Sequence, residues 1–282
     1  MTVTRMLSVL LLAGSAFCAV QGCDDTGQTI PNRTEASWQT VWSDEFDGAA
    51  GEAPDPTKWT YDIGRGDNGW GNAELQHYTK RPENVSQTGD GNLAITARQE
   101  ATSGADYSSS RIKSQGLFEF TYGRVEARIK LPTGAGIWPA FWMLGADFDV
   151  VGWPATGEID IMEYRGQTTD TTSGALHGPG YFGGSPLGGS YFLPDGLQFD
   201  DDFHVFAVEW DPGRIVWLVD ETVFHVATTG LLPVDGRWVF DHDFFMILNL
   251  AVGGTFVGPP DASTPFPQQL LVDYVRVQKR MP

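Results

Sequence analysis

The sequence reads as an all-β protein, a sandwich or jelly roll of antiparallel sheets. Three observations lead there. Short apolar runs alternate with clusters of Gly, Pro, Asn and Asp from Trp38 to the end of the chain, the punctuation of many strands joined by turns. Turn formers are plentiful, with 34 Gly and 17 Pro, so the connections are many and tight. No stretch carries the long apolar period of 3.6 that marks a surface helix. Hydrophobic residues at 41% of 282 can fill the interior of one large all-β domain.

The first residues stand apart from that pattern. Arg5 gives a positive start and residues 7–20 an apolar run too brief to span a bilayer comfortably, so residues 1–22 read as an export signal. Val20-Gln21-Gly22-Cys23 is similar to a bacterial lipoprotein processing box, although Gln21 is larger than that box prefers. Cys23 is the candidate lipidated residue, which would attach the chain to a membrane. The alternative is secretion with a free Cys23 thiol. Either way the expected location is extracytoplasmic, secreted or anchored to the cell envelope. Cys18 lies inside the signal, so the mature chain holds no disulfide pair. Residues 23–37 are polar and aperiodic, a flexible tether. Residues 38–282 show no repeat and no boundary and are read as a single domain, expected to act as a monomer.

Candidate strands within the domain are 41–46, 93–97, 117–122, 123–131, 140–144, 158–164, 203–210, 215–219, 245–251 and 271–278. Val125, Ala127, Ile129 and Leu131 alternate with Arg124, Glu126, Arg128 and Lys130, as in a strand with one buried face. In 271–278, Val272, Tyr274 and Arg276 stand against Leu271, Asp273, Val275 and Val277. The Gly-rich segment 178–196, with Tyr181, Phe182, Tyr191 and Phe192, reads as a long loop, and such loops are often functional.

The chemistry concentrates in Gly157-Glu158-Ile159-Asp160-Ile161-Met162-Glu163-Tyr164-Arg165. Alternation puts Glu158 and Asp160 on one face and Ile159 and Ile161 in the core. Strict alternation would also bury Glu163 among apolar groups, at a cost of several kcal/mol. One extra residue at Ile161-Met162, a β-bulge, turns Glu163 back beside the other acids. Glu158 and Glu163 then stand roughly 13 Å apart along the backbone. Two glutamates leaning together would close that to the ~5–5.5 Å between carboxyls used in retaining glycoside cleavage. An exposed acidic ladder is the plainer alternative, but like charges on one face repel and no lysine interleaves here.

Composition narrows the ligand. The net charge of −18 excludes nucleic acid, which demands a basic surface, and is compatible with a neutral polymer. Ten tryptophans offer apolar faces for stacking on pyranose rings. Trp138 and Trp142 are an even distance apart and share a strand face, and Trp153 lies nearer the acids. For each, a core aromatic is the alternative. Asn72, in Gly69-Trp70-Gly71-Asn72-Ala73-Glu74, is a candidate for sugar hydroxyls or a turn residue. Arg111 is read as binding substrate hydroxyls or balancing acids, with an exposed salt bridge as the alternative. His177 is a candidate cleft residue, although a lone histidine is more often structural. Asn249, amid Leu248 and Leu250, either faces a cleft or caps an inner network.

Taken together, these pieces resemble glycoside hydrolase family 16, in its laminarinase (endo-β-1,3-glucanase) branch. The resemblance rests on Glu158-x-Asp160-x-x-Glu163, Trp70-Gly71-Asn72-Ala73-Glu74, Ser110-Arg111-Ile112, Tyr122-Gly123-Arg124-Val125-Glu126-Ala127-Arg128, Trp138-Pro139-Ala140-Phe141-Trp142, Asn249-Leu250-Ala251-Val252-Gly253-Gly254 and Val272-Asp273-Tyr274-Val275-Arg276-Val277. It implies a curved, concanavalin-like β-jelly-roll sandwich of two antiparallel sheets with an open cleft on its concave face. It also implies endo-cleavage of β-glucan without a catalytic cofactor. Glu158 would be the nucleophile, Asp160 the assisting acid and Glu163 the acid/base, with Asn72, Arg111, Trp138, Trp142, Trp153, His177 and Asn249 binding substrate. Many members hold one structural calcium away from the cleft. Asp273 matches their aspartate ligand, and the carbonyls of Glu45 and Gly91 fall where other ligands are expected. The alternative for Asp273 is an ion pair with an arginine. An agar or carrageenan hydrolase, or a glucan-binding module without catalysis, are the competing functions. The acidity weighs against a sulfated substrate, and the presence of both glutamates against a pure binding module.

Overall fold

A computed structural model describes residues 37–194 and 196–281. The export signal, Cys23 and nearly all of the tether lie outside the described residues. Two sheets, of ten and seven strands, carry the fold. In the outer sheet the order is Thr222–Thr228, Arg214–Val219, His204–Asp211, Gly123–Lys130, Gln268–Arg280, Leu93–Thr102, Ala105–Ser109 and Gln76–Tyr78. Trp38–Asp44 joins Gln268–Arg280, and Val85–Gln87 joins Leu93–Thr102. In the second sheet the order is Leu187–Phe192, Thr171–His177, Glu158–Tyr164, Ile137–Gly145, Phe244–Val252, Arg111–Lys113 and Thr60–Tyr61. Pairing is antiparallel except between Gln76–Tyr78 and Ala105–Ser109. This is the jelly-roll sandwich that the turn-rich pattern implies.

The core lies between the sheets. Val125, Ala127 and Ile129 enter it from the outer sheet, and Phe141, Met143, Ile159, Ile161 and Met162 from the other. The alternation read in 123–131 is therefore the buried face of its strand. Residues 117–122 do not form a strand; Phe120 makes a single bridge with Phe244. Their apolar character reflects side-chain packing instead, with Phe118 stacked on Trp42 at 5.1 Å and Phe120 edge-on to Trp210 at 6.1 Å. The segment 178–196 is not all loop. Leu187–Phe192 pairs with Thr171–His177, and its glycines serve close packing: a Cβ on Gly188 would lie 2.4 Å from the Gly174 carbonyl oxygen.

A second departure lies in Gln268–Arg280. Leu270, Val272, Val275 and Val277 all face the core, so the alternation slips one residue at Asp273-Tyr274. The ladder with Gly123–Lys130 shows the slip directly, pairing Val272 with Ile129 and Tyr274 with Arg128. Asp273 is the extra residue.

The bulge in the acidic strand is present. Asp160 pairs with Trp142 and Met162 with Phe141, two residues against one. On the other edge Asp160 pairs with Ala175 and Glu163 with Ser173. A bulge interrupts the ladder and leaves backbone groups in need of partners. Trp217 supplies one. It reaches across the sandwich from the outer sheet, fully buried, and its indole Nε1–H donates to the Asp160 carbonyl at 2.8 Å. Gly174 makes room: a Cβ there would lie 2.3 Å from Trp217 Cδ1. Trp217→Phe should therefore lower the unfolding free energy by about 1–3 kcal/mol through the orphaned carbonyl, with a further loss from the smaller ring. Urea denaturation measures the loss. Amide exchange should accelerate at Ile161, Met162 and Glu163 beyond any global increase, and unchanged local exchange would contradict a role for Trp217 at the bulge.

Candidate active site

The second sheet turns its other face toward a cleft of about 670 Å³. Three of its strands build the floor. Ile137–Gly145 contributes Trp138, Ala140, Trp142 and Leu144, and Phe244–Val252 contributes Phe245 and Asn249. Glu158–Tyr164 contributes Glu158, Asp160 and Glu163. All three acids face the cleft because the bulge restores Glu163 to the face of the other two, while Ile159, Ile161 and Met162 stay in the core.

The acids are crowded and poorly solvated. The side chain of Asp160 is 6% exposed and that of Glu158 19%. Burial raises all three carboxyls to about 8, and the charge of Asp160 adds to the rise at Glu158 and Glu163. Groups this close share their protons, so the cluster titrates as a unit. Two neighbours favour negative charge at its ends. Trp138 Nε1–H donates to Glu163 Oε1 at 3.2 Å. His177, opposite Glu158 in the ladder, places Nε2 3.6 Å from Glu158 Oε1 and 3.2 Å from Asp160 Oδ2.

The other sequence-selected residues divide. Asn72, Arg111, Trp138, Trp142, Trp153 and Asn249 line the cleft beside the acids. His177 does not line it; the ring packs against Glu158 and Asp160, with its centroid 6.0 Å from that of Trp153. Asn249 serves both readings made of it, since it lines the cleft and its Oδ1 accepts from Trp142 Nε1 at 2.7 Å. Arg111 is no exposed salt bridge. Its side chain is 12% exposed, Nε lies 2.8 Å from Asp62 Oδ2, and the guanidinium carbon sits 4.9 Å from the Trp70 ring centroid and 4.7 Å from that of Trp142. This sandwich fixes a planar cation at the cleft wall.

Asn72 Nδ2 donates to Glu74 Oε1 at 3.3 Å, and Gln76 and Tyr78 donate to Glu74 Oε2. Burial raises the Glu74 carboxyl. Asp62, Trp70 and Glu74 are cleft residues that the site reading left unassigned. Trp70 and Glu74 stand in a motif already picked out, so that motif was their signal. Asp62 had none, because only the pairing of Tyr61 with Ile112 brings it to Arg111.

Two places deserve a test for metal. Glu158, Asp160 and His177 bring three ligand atoms within 4.8 Å of one another. Gly183 N–H, however, donates to His177 Nδ1 at 3.1 Å. That leaves the ring proton on Nε2, the atom a metal would need bare. The second place is Asp273. Trp38–Asp44 ends with Asp44 opposite Val275, and Leu93–Thr102 begins with Leu93 opposite Val272. Glu45 follows the first of these strand ends, and Gly91 lies two residues before the second, so both fall near the stretch of Gln268–Arg280 that neither strand pairs. Asp273 Oδ2 lies 2.6 Å from Arg128 Nη1, the ion pair weighed as its alternative role, and that contact engages one of its two oxygens. Oxygen donors of this kind, one carboxylate and two carbonyls, are of the type calcium takes.

A two-sheet jelly roll with a bulged strand of three acids along its cleft belongs to the carbohydrate-cleaving enzymes, and comparison with known proteins assigns the family. The model of the Glycosyl hydrolases family 16 matches residues 72–235, and the chain belongs to that family. A beta-glucanase of Rhodothermus marinus is 42% identical over 271 residues, which is 92% of this chain and 91% of that protein. The laminarinase catalytic domain of Thermotoga maritima is 48% identical with a TM-score of 0.82, covering 87% of this chain and 99% of that one. The endo-beta-1,3-glucanase of Pyrococcus furiosus is 46% identical with a TM-score of 0.83, covering 87% and 96%.

The raised carboxyls have a stability consequence with a definite sign. From the ordinary values of 4.5 and 3.8 up to about 8, the folded chain keeps protons that the unfolded chain has lost. The cluster is therefore best tolerated at low pH, and stability falls as pH rises. Glu163→Gln, which removes one charge, should stabilise the protein by about 1–3 kcal/mol at pH ~8 and by much less at pH ~5. Urea denaturation at the two pH values checks this; destabilisation that grows with pH would contradict it.

Proposed function

We propose that this chain is an endo-acting, retaining β-glucan hydrolase that cleaves β-1,3-glucosidic bonds in laminarin-like polysaccharides. The observation that carries the reading is the bulge at Ile161-Met162, which sets Glu158, Asp160 and Glu163 side by side on the floor of a tryptophan-lined cleft. The names and high coverage of the relatives support the β-1,3 linkage.

In this reading Glu158 is the nucleophile. Its carboxylate attacks the anomeric carbon while Glu163, protonated, gives its proton to the departing glycosidic oxygen. The bond to Glu158 forms as the glycosidic bond breaks, leaving a glycosyl-enzyme. Water then attacks that carbon, passes its proton to Glu163 and releases Glu158, so configuration is retained. The crowding of the acids supports this division, because one proton held in the cluster near neutral pH is what the first step needs. The His177 ring beside Glu158 favours ionisation at that end. Asp160, between the two, raises both glutamates and keeps the shared proton from leaving early. Trp142 and Trp153 offer faces to sugar rings, and Arg111 and Asn72 offer donors to hydroxyls.

Reducing-end release on laminarin, lichenan, agarose and carrageenan tests the substrate. Laminarin should be cleaved fastest, and activity confined to agarose or carrageenan would refute the reading. Glu158→Ser should lower kcat by about 10³-fold or more, and proton NMR of fresh product should show the β-anomer first. An initial α-anomer would exclude retention.

We also infer a structural calcium at Asp273 with the carbonyls of Glu45 and Gly91. It would tie two strand ends to the edge of Gln268–Arg280 and take no part in the chemistry. EGTA should lower Tm by about 4 °C or more, calcium should restore it, and Asp273→Asn should abolish the response. A Tm indifferent to chelation would remove the ion from the account.

A further inference from the structure

We propose that His177 is a positioning residue whose single proton is held on Nε2, between Glu158 and Asp160, by the backbone of the loop that follows it. The inference rests on the reading of Glu158 as nucleophile. Its geometry comes from three separate elements.

The first is the hydrogen bond from Gly183 N–H to Nδ1, 3.1 Å long. A ring nitrogen that accepts carries no proton, so the neutral imidazole keeps its proton on Nε2. A second proton on Nδ1 would point at the Gly183 N–H and break that bond. The second element is the acidic strand. Nε2 lies 3.2 Å from Asp160 Oδ2 and 3.6 Å from Glu158 Oε1. Asp160 Oδ2 is buried and has no aligned hydrogen bond among the described residues, so the Nε2 proton lies between two acceptors and belongs to neither alone. These two acids are the charged groups that face the ring; Trp153 faces it from the cleft wall.

The third element is the loop itself, which is tied at several points. Gly178 and Tyr181 exchange backbone hydrogen bonds of 3.0 Å in both directions. The Tyr181 hydroxyl donates to the Arg237 carbonyl at 2.7 Å, and the Phe182 ring meets Trp153 edge-on at 5.3 Å. Gly183 has φ +59, in the left-handed region that glycine enters without penalty. Sequence position 183 thus matters through its backbone alone.

The consequence is a division of labour. His177 is a donor that does not compete with Glu163 for the proton the reaction moves. It favours negative charge on Glu158 and Asp160 by donating from Nε2.

Long-range 1H–15N correlation on the histidine-labelled full chain reads the tautomer, and His177→Gln assigns the signal by its loss. We expect the proton on Nε2, with a scalar coupling across the hydrogen bond from the Gly183 amide to Nδ1. A proton on Nδ1 would overturn the proposal. Kinetics give a second arm. Glutamine can place a donor where Nε2 stands, asparagine reaches only the Nδ1 position, and alanine reaches neither. His177→Gln should keep kcat within about tenfold of the parent, whereas His177→Asn and His177→Ala should lose about a hundredfold with KM little changed. Losing the donor raises the Glu158 carboxyl, so the acidic limb of kcat/KM should move to higher pH in those two and not in His177→Gln. Equal losses in all three variants with an unmoved acidic limb would overturn the positioning role. The tautomer measurement does not depend on hydrolysis, so its failure and a failure of the polysaccharide panel are told apart.

Discussion

The hydrogen bond from the Trp217 indole to the Asp160 carbonyl is the constraint on which the rest of this molecule depends. A strand cannot show three acids of this spacing to one face without an extra residue, and an extra residue leaves backbone groups outside the ladder. In a protein interior an orphaned carbonyl costs about as much as a large share of the net stability of a domain. The partner comes from the opposite sheet, through a gap that only glycine at position 174 leaves open. Sandwich and site are therefore not independent. The two sheets must pack in one register for the indole to reach, and once it does the bulge is fixed and Glu163 faces the cleft.

Fixing the acids creates a second problem, which is charge. Three carboxyls with little solvent around them resist ionisation, and each makes the next harder to ionise. The surroundings answer with donors rather than with a buried cation at the centre. Trp138 addresses Glu163 and His177 addresses Glu158 and Asp160. Arg111, a guanidinium of the cleft wall, is engaged by Asp62 and clasped by two indoles. The outcome is a cluster that keeps a proton without being neutralised outright. A full salt bridge would have removed the tension and with it the proton. Sites of this kind are held at some expense to stability, which the rest of the fold must supply.

Much of this was legible in the sequence. The acidic strand is Glu158–Tyr164 as read, the bulge falls at Ile161-Met162, and Trp138 and Trp142 share the cleft face. These succeed because they rest on period-two alternation and on the cost of burying an acid, both local properties. The failures are equally physical. Residues 117–122 are apolar because their aromatic rings pack on Trp42 and Trp210, so hydrophobicity signalled burial where pairing was expected. Leu187–Phe192 was hidden by glycines that allow two strands to approach closely. Short strands such as Thr60–Tyr61 and Arg111–Lys113 exist only through their partners, and Asp62 reaches Arg111 through that same pairing. The contact from Gly183 to His177 is invisible for another reason, since it uses a backbone N–H that every residue but proline possesses.

The bulges in the acidic strand and in Gln268–Arg280 share one feature, which the irregularities of Trp38–Asp44 and Thr222–Thr228 do not. In Glu158–Tyr164 and in Gln268–Arg280 the alternation slips once, and an acid stands at or just after the slip, Glu163 following the bulge at Ile161-Met162 and Asp273 being the extra residue itself. An acid in phase with a buried face would be pushed out of the core by its own desolvation. A strand resolves the conflict either by losing the acid or by gaining a residue. Where a residue is gained, the acid is retained at a place with loosened backbone and unpaired polar groups, and those are conditions under which it can bind something. The slip at Asp273 was misread as regular alternation because the residues around it alternate well on either side when taken separately. The slip before Glu163 was visible because strict alternation would have placed its charge among isoleucines. What exposes a bulge in sequence is therefore an acid that regular pairing would bury, and it is legible only when the neighbours on both sides are apolar enough to fix the phase.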